Sequence, residues 1–376
     1  MEYRTLPHGG EKISILGFGT GRTNAEGERE KEVEATVTMA LENGINIFDL
    51  STSDSSPFPV MGRAVGSSRR EVYYQMHFGA DFRSGKYGWT TDLEAVKASM
   101  DWQLTAIGTD YIDFGFIHCI DEEADLDKVE NNGVVAYIEQ LKKQGVVRHI
   151  ALSTHTPSIA NRILDTGIVD MLMFSINPAY DYMEAKKLDF SEDARICGVG
   201  SNEERMALYR KCVACGVGIS VMKPLGGGKL LNDKTSVFGK ALTKNQCIQY
   251  ALDKPGVVTV LSTIRDRDDL RQFLGYLDAT PEEKDYSILG SLTPQNADGV
   301  CVYCNHCQPC PAGLDVALIN KYYDLALAGD EMAANHYQNL GKTAKDCVGC
   351  GHCDRRCPFH VKQSKRMQEI QNYFGK

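Results

Sequence analysis

Residues 93–118 read LEAVKASMDWQLTAIGTDYIDFGFIH, and this stretch decides the fold class. In Leu93–Ile107 the apolar side chains recur at helical spacing, whereas Tyr111–Ile117 is a short apolar run typical of a buried strand. A helix joined by a short turn to a buried strand is part of a β-α-β unit. The stretch therefore predicts an α/β fold with a parallel sheet, and it places a polar side chain, His118, at the end of a strand.

The same alternation runs through about the first 280 residues and fits a (β/α)8 TIM barrel, for which about 250 residues is typical. The main alternative is a doubly wound sheet, but Gly17-Phe18-Gly19 is too short for a G-x-G-x-x-G fingerprint after the first strand. The predicted strands are Ile13–Phe18, Ile45–Leu50, Val72–Phe78, Tyr111–Ile117, His149–Leu152, Met171–Ile176, Gly218–Met222 and Val257–Leu261. The predicted helices are Lys31–Glu42, Leu93–Ile107, Val134–Gln144, Glu203–Cys215 and Lys244–Leu252.

Composition excludes several classes of protein. The formal net charge is −9 and no long basic run occurs, so we expect no nucleic-acid partner. The longest apolar stretches, such as Gly256–Leu261, are strand-sized, so we expect no membrane span, and the N-terminus lacks the apolar core of a signal peptide. We therefore expect a cytoplasmic protein, in which the 13 cysteines serve as metal ligands rather than in disulfides.

Eight of those cysteines lie between residues 301 and 357. Segments 301–311 and 347–358 read CVYCNHCQPCP and CVGCGHCDRRCP, and the second has the C-x2-C-x2-C-x3-C-P spacing of bacterial ferredoxins. A short loop cannot encircle a cubane, and in two-cluster ferredoxins each run lends its fourth cysteine to the other cluster. We therefore predict two [4Fe–4S] clusters, one held by Cys301, Cys304, Cys307 and Cys357, the other by Cys347, Cys350, Cys353 and Cys310.

The shift in cysteine content predicts two domains, a barrel over residues 1–285 and a small α-helical ferredoxin-like domain over residues 286–376. Structural zinc is the alternative for the cysteines, although zinc requires no crossed C-P pattern. Cys212 and Cys215 lie in a helix-like run, where packing is the simpler interpretation, and Cys119 is interpreted as a buried thiol.

In a TIM barrel the chemistry sits where strands end and loops begin. The predicted strand ends carry many polar residues, each of which has the alternative role of bonding loop backbone. They are Thr20, Asp49, Ser51, Gln75, His77, His118, Ser153, His155, Asn177, Lys223 and Ser262.

Several segments resemble the aldo-keto reductase superfamily, in the branch with a C-terminal ferredoxin-like domain. They are MEYRTLPHGGEKISILGFGT at the N-terminus, GINIFD ending at Asp49, LTAIGTDYIDFGFIH ending at His118, LKKQGVVRHIALS ending at Ser153, and MKPLGGG ending at Gly228. The resemblance implies carbonyl reduction by NAD(P)H with Asp, Tyr, Lys and His. The tyrosine donates a proton, the lysine pairs with the aspartate, and the histidine orients the carbonyl.

This sequence keeps half of that set. Asp49 and His118 match the aspartate and the histidine, but Asp54 stands at the tyrosine position and His77 near the lysine position. A carboxylate is a poor substitute for a phenol as proton donor. Tyr87, with Lys86, is a candidate replacement phenol, and an ordinary loop aromatic is the simpler interpretation of it.

The positions that the resemblance implies for a nicotinamide cofactor are also altered. Met173 replaces a glutamine, and Thr263, Asp269 and Phe273 stand near the phosphate-gripping positions. Arg265, with Arg267 and Arg271, is a candidate substitute. Lys223 and the glycine run Gly226, Gly227 and Gly228 are candidates for binding a phosphate, with a flexible loop as the alternative. NAD(P)H or a flavin therefore remains a possible cofactor.

These observations lead to one main hypothesis. The barrel performs a redox step on a small organic molecule, and electrons pass through the two clusters. His118 and His77 move protons, Asp49 orients one of the two imidazoles, and Asp54 is a further candidate catalytic residue. A ferredoxin or flavodoxin would be a suitable electron donor. The alternatives are NAD(P)H-dependent carbonyl reduction with structural clusters, a non-catalytic electron-transfer or redox-sensing protein, and redox-neutral elimination.

Overall fold

The computed structural model describes residues 1–183, 203–236, 238–291, 299, 301, 307–327, 331–357 and 360–375. The chain divides into two compact units. Unit 1 comprises Met1–Ser175, Ala207–Pro224 and Ala251–Thr280, and unit 2 comprises Ile176–Met206, Leu225–Tyr250 and Pro281–Lys376. The expected domain boundary after residue 285 stays a prediction.

Unit 1 contains a closed barrel of eight parallel strands, as the sequence predicts. Neighbouring strands follow the order β10-β11-β12-β3-β4-β5-β8-β9, and β9 closes the ring on β10. The strands of the chain are β1 (Tyr3–Thr5), β2 (Lys12–Ser14), β3 (Leu16–Gly19), β4 (Ile47–Asp49), β5 (Tyr73–Phe78), β6 (Ala80–Asp81), β7 (Gly88–Trp89), β8 (Ile112–Ile117), β9 (Val147–Thr154), β10 (Met171–Ser175), β11 (Gly218–Met222) and β12 (Val257–Thr263).

Helices lie between most of the barrel strands, and those from Arg267 onwards follow the last strand. They are α1 (Arg29–Glu42), α2 (Pro57–Val65), α3 (Leu93–Ile107), α4 (Glu123–Asn131), α5 (Val134–Lys143), α6 (Pro157–Thr166), α7 (Pro178–Met183), α8 (Glu203–Ala214), α9 (Lys244–Leu252), α10 (Arg267–Asp278), α11 (Pro281–Lys284), α12 (Val316–Leu327), α13 (Glu331–Gln338), α14 (His352–Arg356) and α15 (Gln363–Phe374). Among the described residues, no helix is both long and apolar enough to cross a bilayer.

Two antiparallel hairpins accompany the barrel. The predicted first strand is in fact two strands: β2 pairs with β1, and β3 enters the barrel. The second hairpin, β6 with β7, follows β5 directly and pairs Ala80 with Trp89. The hydrophobic pattern does not predict the second hairpin because its strands are only two residues long, too short to show a period.

Unit 2 has a separate apolar core within its C-terminal residues. Buried side chains from α12, α13 and α15 meet there, and the rings of Tyr337 and Phe374 stack with their centroids 3.9 Å apart. Cys307 and Cys353 belong to this core, and Cys310 and Cys347 pack against it. The cysteine-rich segments are therefore built around a hydrophobic centre.

A close contact between α2 and α3 depends on a glycine. A Cβ atom at Gly62 would lie 1.9 Å from the carbonyl oxygen of Ile107, whereas one at Gly275, in α10, would meet nothing within 4 Å. We expect Gly62→Ala to lower stability by about 1–3 kcal/mol through overpacking. Gly275→Ala is the matched control and should stabilise by about 1 kcal/mol, the difference in helix propensity.

Thermal unfolding of the full-length variants, followed by circular dichroism, measures both effects. The two midpoints should move in opposite directions. Equal shifts in the same direction would show that the contact between α2 and α3 does not limit stability.

Candidate functional site

Three barrel strands bring together the acidic and imidazole groups that the sequence singled out. Asp49 ends β4, His77 lies near the end of β5, and His118 directly follows β8. These strands are neighbours in the barrel, with β5 between β4 and β8. Since parallel strands end at the same rim, the three side chains lie at the carboxyl end of the barrel, where TIM-barrel chemistry takes place.

The three side chains form a continuous hydrogen-bonded chain. His77 Nε2 lies 2.8 Å from Asp49 Oδ1, and His77 Nδ1 lies 2.9 Å from His118 Nδ1. The ring of His77 also stacks on Phe116, with centroids 5.3 Å apart. All three polar side chains are buried, and His77 is fully inaccessible. Buried polar groups must be paired, so these contacts hold each ring in a fixed orientation.

A fourth member extends the chain from an unexpected direction. The hydroxyl oxygen of Tyr87 lies 2.9 Å from His118 Nε2, and Tyr87 is 9% exposed. The structure therefore places the candidate replacement phenol beside His118. Tyr87 is also not the ordinary loop aromatic of the simpler interpretation. The result is a single row of four groups, which we call the relay: Tyr87, His118, His77 and Asp49.

The phenol of Tyr87 is positioned by the β6–β7 hairpin, which the sequence did not predict. Tyr87 directly precedes β7, its backbone N–H donates to Ser53 O at 3.0 Å, and its ring packs on Phe82. Trp89, in β7, donates its indole N–H to the carbonyl oxygen of His118 at 3.0 Å. The hairpin therefore holds both the phenol and the backbone of the histidine that the phenol contacts.

The relay has one consistent set of protons when Asp49 is ionised and both imidazoles are neutral. His77 Nε2–H donates to Asp49, so His77 Nδ1 accepts from His118 Nδ1–H. His118 Nε2 is then an acceptor, and the Tyr87 hydroxyl donates to it. In each hydrogen bond of the relay the proton is donated in the direction of Asp49. When Asp49 is protonated, the donor and the acceptor of every bond can exchange roles. The relay can therefore move one proton to or from the phenol oxygen.

Asp54 and Lys86 have a structural part in this arrangement. The Asp54 carboxylate accepts the Ser56 backbone N–H at 2.8 Å, and Asp54 and Lys86 form an antiparallel bridge that aligns the loop next to Tyr87. Lys86 is exposed. The observed contacts of Asp54 support the loop that carries the phenol, and its expected catalytic role stays a prediction.

The arginines suggested for phosphate binding are in surface ion pairs. Arg265 binds Asp269 through two nitrogens at 2.6 and 2.9 Å, and this pairing raises the pKa of the guanidinium. Arg267 pairs in the same way with Glu32, whose pKa is lowered as a result. The arginine side chains are about half exposed, and exposed pairs are worth less than about 1 kcal/mol. Both arginines are therefore already paired, and a phosphate bound there would compete with Asp269 and Glu32.

The other candidate cofactor-binding positions are Met173, Lys223 and the glycine run at residues 226–228. Met173 is buried in the apolar core of the barrel and supplies no amide for a nicotinamide. Lys223 follows β11 in a left-handed backbone conformation, with φ of 56°. In unit 2, Gly226, Gly227 and Gly228 all have positive φ, and the N–H of Gly228 donates to the carbonyl of Leu225 within the turn. That N–H is therefore already used by the turn.

Four cysteines of unit 2 line one cavity. They are Cys310, Cys347, Cys350 and Cys353. This is the set that the crossed spacing assigns to a single cluster, with Cys310 coming from the other run. Apolar side chains, among them Leu314, Val316 and Met367, complete the wall. Four thiols from two separate segments of the chain therefore lie around one small cavity.

The cysteines of the other expected cluster are only partly described. Cys301 and Cys307 are buried, and Cys357 is half-buried. Cys304 lies outside the described residues. Of the remaining cysteines, Cys212 is completely buried in α8, which agrees with the packing interpretation.

Curated relatives and solved structures are similar to this chain. L-galactose dehydrogenase of Arabidopsis thaliana is 28% identical over 208 residues, which are 53% of this chain and 63% of that enzyme. An uncharacterised oxidoreductase of Bacillus subtilis, YqkF, is 24% identical over 313 residues, covering 79% of this chain and 98% of the relative. The chain thus spans less than two thirds of the first relative and almost all of the second.

Among solved structures, aldo-keto reductase AKR11C1 of Bacillus halodurans in its holo form has a TM-score of 0.60 at 21% identity. The match covers 79% of this chain and all of that one. An aldo-keto reductase of Klebsiella pneumoniae in complex with NADPH has a TM-score of 0.53 at 16% identity, covering 78% and 96% of the two chains. At these identities the similarity shows a shared fold.

The sequence model described as the aldo/keto reductase family matches residues 15–246, more than half of the chain. Together with the closed barrel and the acidic and imidazole groups at its rim, this match establishes that the chain belongs to the aldo/keto reductase family of oxidoreductases.

Proposed function

We propose that the barrel interconverts a small carbonyl compound and the corresponding alcohol, with Tyr87 exchanging the proton with the substrate oxygen. The observation that carries this proposal is the 2.9 Å contact between the Tyr87 hydroxyl and His118 Nε2. A positioned phenol is a suitable general acid for a developing alkoxide. Tyr87 does not stand at the position where the family resemblance places the catalytic tyrosine, but it contacts His118, the histidine that the resemblance assigns to the site.

Reduction starts with Asp49 protonated and the hydrogen bonds of the relay reversed, so that His118 Nε2 carries a proton. Tyr87 gives its hydroxyl proton to the carbonyl oxygen and receives one from His118 Nε2. His118 receives a proton at Nδ1 from His77, and His77 receives one at Nε2 from the carboxyl group of Asp49. Alcohol oxidation runs the same sequence backwards and ends with Asp49 protonated. Neither imidazole needs to hold a net charge before or after the transfer.

NAD(P)H is the proposed hydride source, in keeping with the NADPH complex of the Klebsiella relative. When bound, the reduced nicotinamide supplies the two electrons together with one hydrogen. In this chain, Arg265 and the neighbouring Arg267 would hold the cofactor's phosphate in place of Asp269 and Glu32. Lys223 is a further candidate for contact with an anionic group. The substrate is a small organic carbonyl compound.

For the C-terminal residues we propose a ferredoxin-like domain, beginning near residue 286, that binds two [4Fe–4S] clusters through the eight cysteines. The support is the cavity lined by the expected crossed set, together with the C-x2-C-x2-C-x3-C-P spacing. Such clusters transfer single electrons. A ferredoxin or flavodoxin is the proposed partner, no nucleic acid or membrane is involved, and the proposed location is the cytoplasm.

A second candidate function is a redox step whose electrons come from the clusters. Cys350, one of the four cysteines around the cavity, is exposed, so the site that they surround is close to solvent. A cluster at the surface can exchange electrons with a protein partner. In this alternative, reduced nicotinamide would not be the electron source.

One experiment separates the two functions. The full-length protein, purified without oxygen, is mixed with small aldehydes and ketones and with either NADPH, NADH or a dithionite-reduced viologen dye. We expect oxidation of reduced nicotinamide matched by formation of alcohol. Turnover with the dye alone, with no binding of reduced nicotinamide, would reject the hydride source and support the second function.

The role of Tyr87 is tested by removing one oxygen atom. Tyr87→Phe should lower kcat about 10²–10⁴-fold with little change in KM, because a lost proton donor affects the transition state rather than ground-state binding. Tyr137→Phe, on the outer helix α5, is the matched control and should keep wild-type kinetics. Steady-state kinetics of both variants gives the comparison, and an unchanged kcat in Tyr87→Phe would refute the assigned role.

The crossed cluster assignment makes a distinct prediction about iron content. The double variant Cys310→Ser/Cys347→Ser should lose one cluster and keep about four irons per chain, whereas Cys307→Ser/Cys310→Ser should lose both. An uncrossed arrangement predicts the opposite pair of results. Cys247→Ser is the control and should keep about eight irons, because Cys247 is a buried thiol of α9. Iron and acid-labile sulfide analysis provides the measurement.

A further inference from the structure

A second group of chemically active side chains lies at the barrel rim, outside the relay. Cys119 and Asp121 follow β8, and His155 follows β9, the neighbouring strand. One ligand atom from each residue lies within 4.8 Å of the other two, and all three residues are buried. A thiol, an imidazole and a carboxylate at this spacing are the three ligand types that proteins use for zinc.

The carboxylate of Asp121 is held so that one of its oxygens faces the other two groups. Its Oδ1 accepts the His155 backbone N–H at 2.6 Å and the Thr154 hydroxyl at 3.0 Å. Its Oδ2 lies 2.8 Å from His155 Nδ1 and 3.7 Å from Cys119 Sγ. Such anchoring of a ligand by outer groups is a regular feature of metal sites, since it fixes the ligand's orientation.

The backbone of Cys119 has an unusual conformation. Its φ is 49°, in the left-handed region that residues other than glycine rarely adopt, and its N–H donates to Ser153 Oγ at 2.7 Å. A strained backbone of this kind occurs preferentially at functional sites. In this strained conformation the thiol of Cys119 lies beside Asp121.

From this geometry we propose that Cys119, Asp121 and His155 bind one zinc ion. The thiol would give up its proton, and the imidazole proton would move from Nδ1 to Nε2, so that sulfur, nitrogen and Asp121 Oδ2 all face the ion. The existing hydrogen bond between His155 and Asp121 would be replaced by two bonds to the metal. Zinc takes four ligands, so three protein ligands leave one position for water or a substrate oxygen, as in catalytic zinc sites.

The cysteines of unit 2 are other candidate ligands for zinc, and the number of sulfur ligands tells the two sets of residues apart. Zinc captured by those cysteines would be bound mainly by sulfur, whereas the proposed site offers one sulfur. Zinc–sulfur bonds are about 2.3 Å and zinc–nitrogen or zinc–oxygen bonds about 2.0–2.2 Å, so X-ray absorption distinguishes the two environments. The result does not depend on enzymatic activity, so the site can fail while the proposed function stands.

The test uses the full-length protein with its iron, produced in zinc-supplemented medium and washed with a weak chelator. We expect about one zinc per chain by elemental analysis and a zinc absorption edge that fits one sulfur and two or three lighter ligands. Cys119→Ser and Asp121→Asn should each lower zinc content at least tenfold with unchanged iron. Cys212→Ser is the matched control and should retain zinc, because burial in α8 raises the pKa of that thiol to about 12 and keeps it protonated.

Three results would overturn the proposal. They are wild-type protein without zinc, zinc bound by three or four sulfurs, and full zinc content in Cys119→Ser. If a variant does not fold, the wild-type absorption spectrum still decides the outcome, because it reports the number of sulfur ligands directly.

Discussion

The row of hydrogen bonds from Tyr87 to Asp49 is the constraint on which the site depends. Each member is buried and must be paired, so the position of every ring is determined by its neighbours. The two imidazoles meet through their Nδ1 atoms, a contact that requires one ring to donate and the other to accept. Removing the charge of Asp49 would change the preferred tautomer of His77, and the change would pass to His118 and the phenol.

His77 stands near the position where the family resemblance places a lysine, and it contacts both Asp49 and His118. A lysine beside Asp49 would provide a permanent charge, whereas His77 provides a group that accepts and donates protons. His77 occupies the space next to His118, with ring centroids 4.6 Å apart. The β6–β7 hairpin then approaches His118 from the other side and delivers Tyr87 to its Nε2. His77 therefore provides a path for protons where a lysine would provide a permanent charge.

Sequence patterns predicted the barrel well because each of its strands is a short apolar run, and these runs recur at regular intervals along the sequence. The same logic placed Asp49, His77 and His118 at one rim. The contact made by Tyr87 was not predictable in the same way, because it depends on a hairpin of two-residue strands and on Ser53, a partner distant in sequence. The group of Cys119, Asp121 and His155 was missed for a similar reason, since a strained backbone has no sequence pattern. Spacing alone grouped Cys310 with Cys347, Cys350 and Cys353, because ligand geometry leaves few arrangements for two short loops.

Proton counting links the relay to the source of electrons. Reducing a carbonyl to an alcohol takes two electrons and two protons, and a hydride delivers both electrons with one of the hydrogens. A nicotinamide reaction therefore needs one further proton, at the oxygen, and one proton is what the relay can move before it must be reloaded at Asp49. Single electrons from clusters would require two separate protons, one at oxygen and one at carbon, so the relay would have to be reloaded between the two transfers. The one-proton capacity of the relay is consequently suited to hydride transfer, and the proposed clusters would supply or sense electrons rather than perform the carbonyl step itself.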